Sequence, residues 1–281
     1  MRDVKFSGAV TRFASLEAFL QDPGRPAGGW EVSHGELPIH ATYLPRGADT
    51  LFVTFSGAMS PKLRTVPAYQ GVGTSGHLKV DRLFLSDSSL ILDDQLRLGW
   101  YGGSTRQPDF QDATTRIIES VAGGRRVVLF GPSGGGFSAL LQATRLPGST
   151  AVVSNPQTDV KQFTTAAVER YLDIAWGIPK LDGHPLPFAD EVVSLYQRPV
   201  DSSIVYLQNL GDTDHVEKHL TPFLSELHSS NRVVQLLPNL GIGHIGPDKE
   251  SFARLFSVAC EHSDWQTLSQ SASAVELTRN M

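Results

Sequence analysis

The chain has 281 residues, 40% hydrophobic and 19% charged, an ordinary globular composition that excludes a disordered chain, a coiled coil or a collagen-like repeat. Its 24 Lys and Arg against 29 Asp and Glu leave a net charge of −5, the wrong sign for a protein that grips nucleic acid through its phosphates. Cys260 is the only cysteine, so an intrachain disulfide and a Cys-rich zinc site are excluded.

The first residues are interrupted by Asp3, Lys5 and Arg12, and nowhere do about 18 apolar residues run together. The expectation is a cytoplasmic protein with no membrane partner. At about 150 residues per domain, the length allows one large domain or two ordinary ones. No repeat or low-complexity tract divides it.

In chain order, residues 30–43 (WEVSHGELPIHATY) read as two less buried strands around a turn at His34 and Gly35, suited to an antiparallel edge. Apolar runs follow at 51–55 (LFVTF), 82–85 (RLFL), 126–130 (RVVLF), 151–154 (AVVS), 203–207 (SIVYL) and 232–237 (RVVQLL). Continuous apolar runs are the mark of strands buried on both faces. Helical patterns fall at 110–121, 137–145, 216–227 and 249–260. Strands alternating with helices imply an α/β protein with a mostly parallel central sheet flanked by helices. The stretch 157–201 is too long for a simple connection and is expected to form a small helical cap carrying Phe163, Tyr171, Trp176, Phe188 and Tyr196. The expected layout is one domain over 1–281: a core of about 30–156 and 202–262, the cap, and a tail at 263–281 that is a loosely packed helix or frayed.

The most informative segment is Arg126 to Leu141, RVVLFGPSGGGFSALL. It places Gly131, Ser133 and Gly135 in a Gly-x-Ser-x-Gly spacing between a buried strand and a helix. A nucleophile on so sharp a turn is held in strained backbone angles, and its neighbours must be too small to clash. A P-loop would need a Lys after its last Gly, where this chain has Phe137, and the glycines do not fit a dinucleotide-binding turn.

With this turn the chain resembles the α/β-hydrolase superfamily, whose nucleophile, acid and histidine follow in that order. The resemblance implies Ser133 as nucleophile, and His244, in the Gly-rich loop PNLGIGHIGP after the run 232–237, as base. It implies a carboxylate from QNLGDTDHV after the run 203–207: Asp212, slightly favoured, or Asp214. It also implies an oxyanion hole from the amide of Gly134 and that of Gly57 or Ala58, where Ser-Gly replaces the usual His-Gly.

His215 and His219, four apart with Asp212 nearby, have a spacing that suits a metal. Position 216 is Val, so no His-Glu-x-x-His motif is present, and a hydrogen-bonded helix start is the simpler reading; no metal and no cofactor are expected. The loop LGWYGGS puts Trp100 and Tyr101 near the mouth of the expected site; these and Trp176 are the expected substrate-binding aromatics. A serine nucleophile favours acyl transfer. The expected activity is hydrolysis of an ester or thioester through an acyl-enzyme on Ser133. The alternatives are an acyltransferase using the same triad, or a non-catalytic hydrolase-fold binding protein. No lipase-type His-Gly-Gly-Gly run occurs, so the expected partner is a small or medium acyl-bearing substrate. The Ser-Gly replacement and the Trp-Tyr-Gly-Gly loop are similar to hydrolase-like proteins of bacterial surface polysaccharide systems, which implies a carbohydrate-linked substrate.

Overall fold

The computed structural model describes residues 1–279. Its strands are β1 (Asp3–Val4), β2 (Val10–Phe13), β3 (Gly28–His34), β4 (Leu37–Leu44), β5 (Thr50–Phe55), β6 (Thr65–Val66), β7 (Asp81–Leu85), β8 (Arg126–Pro132), β9 (Ser149–Ser154), β10 (Ser202–Leu207) and β11 (Arg232–Leu236). Its helices are α1 (Leu16–Gln21), α2 (Phe110–Ala122), α3 (Gly134–Arg145), α4 (Thr165–Trp176), α5 (Val193–Tyr196), α6 (Thr213–His215), α7 (Thr221–Ser225), α8 (Lys249–Glu261) and α9 (Trp265–Ser273).

One nine-stranded sheet has the order β11-β10-β9-β8-β5-β7-β4-β3-β2. Only β4 runs against its neighbours β3 and β7; every other pairing is parallel. Side chains alternate across the sheet, and both faces are covered. Leu51, Val53, Phe55, Leu129, Ala151 and Val153 pack with residues of α2, α3 and α4 on one face. Phe52, Val128, Phe130, Val152 and Val205 pack with Leu255 and Phe256 of α8 and Leu268 and Ala272 of α9 on the other. This is why these strands read as unbroken apolar runs.

Three expectations change. The hairpin β3–β4 is internal: β2 pairs with β3 and forms the edge. Four residues interrupted by Arg12 carry little strand signal, and β2 is held by tertiary packing, with Phe13, Phe19 of α1, Trp30 and Tyr43 in one aromatic cluster. The predicted helix 216–227 is a π-helical turn over Val216–Leu220 followed by α7, and helical structure starts earlier, with α6. The tail is neither loose nor frayed over α9, since Leu268 and Ala272 are fully buried. Residues 280–281 of that tail lie outside the described residues. The stretch 157–201 holds a short 3₁₀ turn, α4 and α5, and buries Val160, Val168, Tyr171, Leu172 and Tyr196. Among the described residues, no helix is long and apolar enough to cross a membrane.

The end of the sheet away from the site is pinned by Asp81, a buried carboxylate at the start of β7. It accepts hydrogen bonds from Tyr43 Oη (2.6 Å), the backbone N–H of Arg46 (2.6 Å) and Arg125 Nη1 (2.6 Å). Burial alone would raise the Asp81 pKa, but these hydrogen bonds hold it well below the usual carboxylate range. A depressed folded-state pKa contributes stability that is present above the unfolded value, near 3.9, and is lost as pH falls toward the folded one. Asp81→Asn is therefore expected to lower unfolding stability at pH 7 by about 3 kcal/mol, measured by urea denaturation, and the gap to wild type should narrow as pH falls below about 4.

Candidate active site

Strand β8 ends and α3 begins at Ser133, whose φ of 54° and ψ of −122° place a non-glycine residue in a sparsely populated region. The turn is possible because its flanks carry no side chains. A Cβ on Gly131 would stand 2.0 Å from the carbonyl of Gly135, and one on Gly135 would stand 2.5 Å from the carbonyl of Phe55. Two backbone bonds tie the turn to the end of β9 and the loop after it: Ser133 N–H donates to Ser154 O (2.9 Å), and Gln157 N–H donates to Ser133 O (3.2 Å).

Across the cavity, Nδ1 of His244 lies 2.6 Å from Oδ2 of Asp212, which leaves Nε2 for the serine. Asp212 is buried and His244 is 41% exposed. Asp214, the other carboxylate considered, points to solvent and pairs with Lys218 Nζ at 3.3 Å. No hydrogen bond joins Ser133 to His244 among the described residues. Both instead line one cavity of about 270 Å³ with Gly57, Ala58, Gln70, Asn155 and Phe252, and such contacts commonly tighten only on substrate.

Two asparagines hold these loops, and sequence reasoning assigned neither a role. Asn209, fully buried just past β10, donates from Nδ2 to Gly241 O (2.9 Å) and Gly243 O (2.8 Å), and its Oδ1 accepts from Leu240 N–H (2.8 Å). Asn155, just past β9 with φ 42°, donates to Ile245 O (2.9 Å) and accepts from Asn209 N–H (2.7 Å). The histidine loop is thus bonded on both sides of His244. The available signal was position: both follow the carboxyl end of a parallel strand, where open α/β sheets place their sites.

Gln157 was also missed. It is fully buried, and its Nε2 donates to Ser133 Oγ at 3.2 Å while its Oε1 accepts from Trp100 Nε1. The indole fixes the amide orientation, because only the carbonyl end can accept from it. The expected aromatic platform is corrected accordingly. Trp100 is fully buried and serves Gln157. Tyr101 is buried, with its hydroxyl donating to Leu85 O (2.8 Å) and accepting from Ser56 N–H (2.8 Å). Trp176 stacks on Phe188 at 5.8 Å and donates to Tyr171 Oη. Trp100 and Tyr101 anchor loops, because a buried ring whose polar atom is already bonded has nothing left to offer a ligand; Trp176 is half-buried in the cap.

Of the expected oxyanion donors, Gly134 is the first residue of α3, where the helix has no internal use for the amide. Gly57 lies against the nucleophile turn, and its N–H is held by Gln70 Oε1 at 3.0 Å. Ala58 is exposed at the rim of the same cavity. His215 contacts the same carboxylate as His244, with Nδ1 3.1 Å from Asp212 Oδ2. Burial, with His244 alongside, pushes His215 down to about 4; burial and His215 push His219 down to about 3. The rings of His215 and His219 lie 4.9 Å apart, and Nδ1 of His219 accepts from Thr158 N–H at 3.2 Å. Cys260 is far from this chemistry; burial raises its thiol to about 12.

A mostly parallel sheet flanked by helices, with a serine turn after β8, a carboxylate after β10 and a histidine after β11, is the α/β-hydrolase arrangement, and the chain has that fold. No family model and no curated protein matches the sequence. Among solved structures, the chain is similar to the capsule O-acetyltransferase of Neisseria meningitidis serogroup A, with 16% identity and a TM-score of 0.62 over 87% of this chain and 99% of that one. A histidine-to-alanine mutant of that protein, solved in complex with CoA, matches with 15% identity and a TM-score of 0.59 over 85% of this chain and 97% of that one. The Pyrococcus horikoshii acylaminoacyl peptidase matches at 13% identity and a TM-score of 0.54, over 82% of this chain and 40% of that one.

Asn209→Ala is expected to free the histidine loop: amide hydrogen exchange over 240–245 should rise, with a stability loss of about 2 kcal/mol from the buried groups left unpaired. Unchanged exchange in that segment would show that the loop holds itself.

Proposed function

We propose that the chain is a serine-dependent acyl-transfer enzyme. Ser133 attacks an ester or thioester; His244 takes the hydroxyl proton on Nε2 and returns it to the leaving group; Asp212 fixes the imidazole tautomer and stabilises its charged form. The observation that carries this reading is that the strained Ser133 and the Asp212–His244 pair, 2.6 Å apart, line one cavity. Gly134 and Ala58 would donate to the oxyanion, with Gly57 joining once Gln70 is displaced. Gln157 holds the serine oxygen, which leaves its proton directed elsewhere. Two further cavities flank the site: an apolar one of about 240 Å³ lined by Phe130, Phe252 and Phe256, and one of about 350 Å³ with Leu98, Phe163, Arg97 and Arg170. Their size suits a small or medium acyl-bearing substrate.

Water as acceptor makes the enzyme an esterase or thioesterase. A second reading, transfer to a carbohydrate hydroxyl, is favoured by the likeness to a capsule O-acetyltransferase over nearly the whole of that chain.

A fluorophosphonate probe is expected to label the intact protein once, at Ser133, and Ser133→Ala should abolish labelling; labelling of that variant would refute the assignment. Asp212→Asn should slow turnover of an acyl ester by roughly 10⁴-fold, while Asp214→Asn leaves it within about twofold, as expected of an exposed pair. Gln157→Glu keeps the acceptor for Trp100 and removes the donor to the serine, and should slow labelling by about fivefold, the loss of about 1 kcal/mol. Hydrolysis and transfer are separated by supplying an acyl thioester with and without a saccharide: acylated saccharide marks a transferase, and free acid at the same rate in both marks a hydrolase.

A further inference from the structure

One carboxylate oxygen at the site serves two imidazoles. Oδ2 of Asp212 lies 2.6 Å from Nδ1 of His244 and 3.1 Å from Nδ1 of His215. The two rings overlie each other at 4.2 Å with 31° between their planes. Orienting a general base needs one imidazole on the acid, so the second is surplus to the triad. His215 is also odd in its own surroundings, because its Nε2 is buried with no hydrogen-bond partner among the described residues.

We propose that Asp212, His215 and His244 form a binding site for a divalent transition-metal ion such as Zn²⁺, and that its occupation silences Ser133. The donor atoms of the three residues all lie within 4.8 Å of one another. Ligands about 2.0–2.2 Å from a tetrahedral zinc stand a little over 3 Å apart, so a small opening of the present contacts admits the ion. Two imidazoles and one carboxylate suit zinc, copper or nickel in preference to magnesium or calcium. Three protein ligands leave a fourth position for water, and the half-exposed His244 gives the ion its entry from the cavity.

The silencing follows from the tautomer, and this part rests on the triad reading. An ion on Nδ1 of His244 requires the ring proton to sit on Nε2, the atom that must be empty to take the serine proton. Metal binding therefore moves one proton within each neutral ring and releases none. At His215 no partner on Nε2 resists that shift. The site draws its ligands from two loops, those after β10 and β11, so the His215–His219 helical spacing does not describe it.

The test uses the full chain, stripped with chelator and titrated with ZnCl₂. Calorimetry should find one Zn²⁺ per chain and no heat with MgCl₂. His215→Gln and, at the half-exposed position, His244→Gln should each weaken binding at least about tenfold. Fluorophosphonate labelling of Ser133 should fall at least about tenfold at saturating zinc, return with chelator, and need at least about tenfold more zinc for the same fall in His215→Gln. No zinc binding, or binding that neither variant weakens, overturns the site. Binding with labelling unchanged overturns the silencing. A wild type that never labels, yet binds zinc through these residues, sinks the serine reading and leaves the metal site standing.

Discussion

The site depends on one backbone constraint, the left-handed Ser133 between β8 and α3. A strand can pass into a helix in a single residue only if that residue leaves the ordinary regions of φ and ψ and its neighbours have no Cβ to collide. Gly131 and Gly135 meet the second condition, since a Cβ at either would stand 2.0 Å or 2.5 Å from a carbonyl oxygen. The strain is held by what surrounds it: β8 is central in the sheet, flanked by β5 and β9, and the turn is bonded to Ser154 and Gln157. The same geometry presents the hydroxyl to the cavity and the first amides of α3 beside it.

Facing that turn, the acid and histidine loops are held largely by side-chain amides. Asn155 and Asn209 bond to each other and then to the backbone around Gly241, Gly243 and Ile245. Buried amides are suited to this because each offers both donors and acceptors without charge. The loops also touch directly: Gly243 N–H donates to Gly211 O at 2.8 Å. The His244–Asp212 contact is therefore set by a network of neutral hydrogen bonds beneath it. The same compactness brings His215 onto the same carboxylate, with its Nδ1 3.1 Å from Asp212 Oδ2.

The sheet was legible because its strands are buried on both faces and carry unbroken aliphatic runs. The first 29 residues were not. The short strand β2 includes the exposed Arg12 and is stabilised by Phe13, Phe19, Trp30 and Tyr43, a cluster that forms only when four elements meet. The aromatic loop at Trp100 and Tyr101 was misjudged for a related reason. Composition indicates that rings are present, but their exposure depends on whether the indole N–H and phenol find partners inside, and here they find Gln157, Leu85 and Ser56.

By itself the sequence determined the alternation of strand and helix, the turn at Ser133 and the order in which serine, acid and histidine follow three strands. These are local properties: apolar periodicity, glycine at a clash, a residue just past a strand end. Tertiary structure alone brought Asp212 and not Asp214 to His244, set Gln157 against the serine, and laid His215 over His244. Asp212 and Asp214 are two residues apart in the chain and chemically the same. What separates them is that one faces a loop arriving from β11 and the other faces water, and no local pattern carries the direction of a neighbour that distant in sequence.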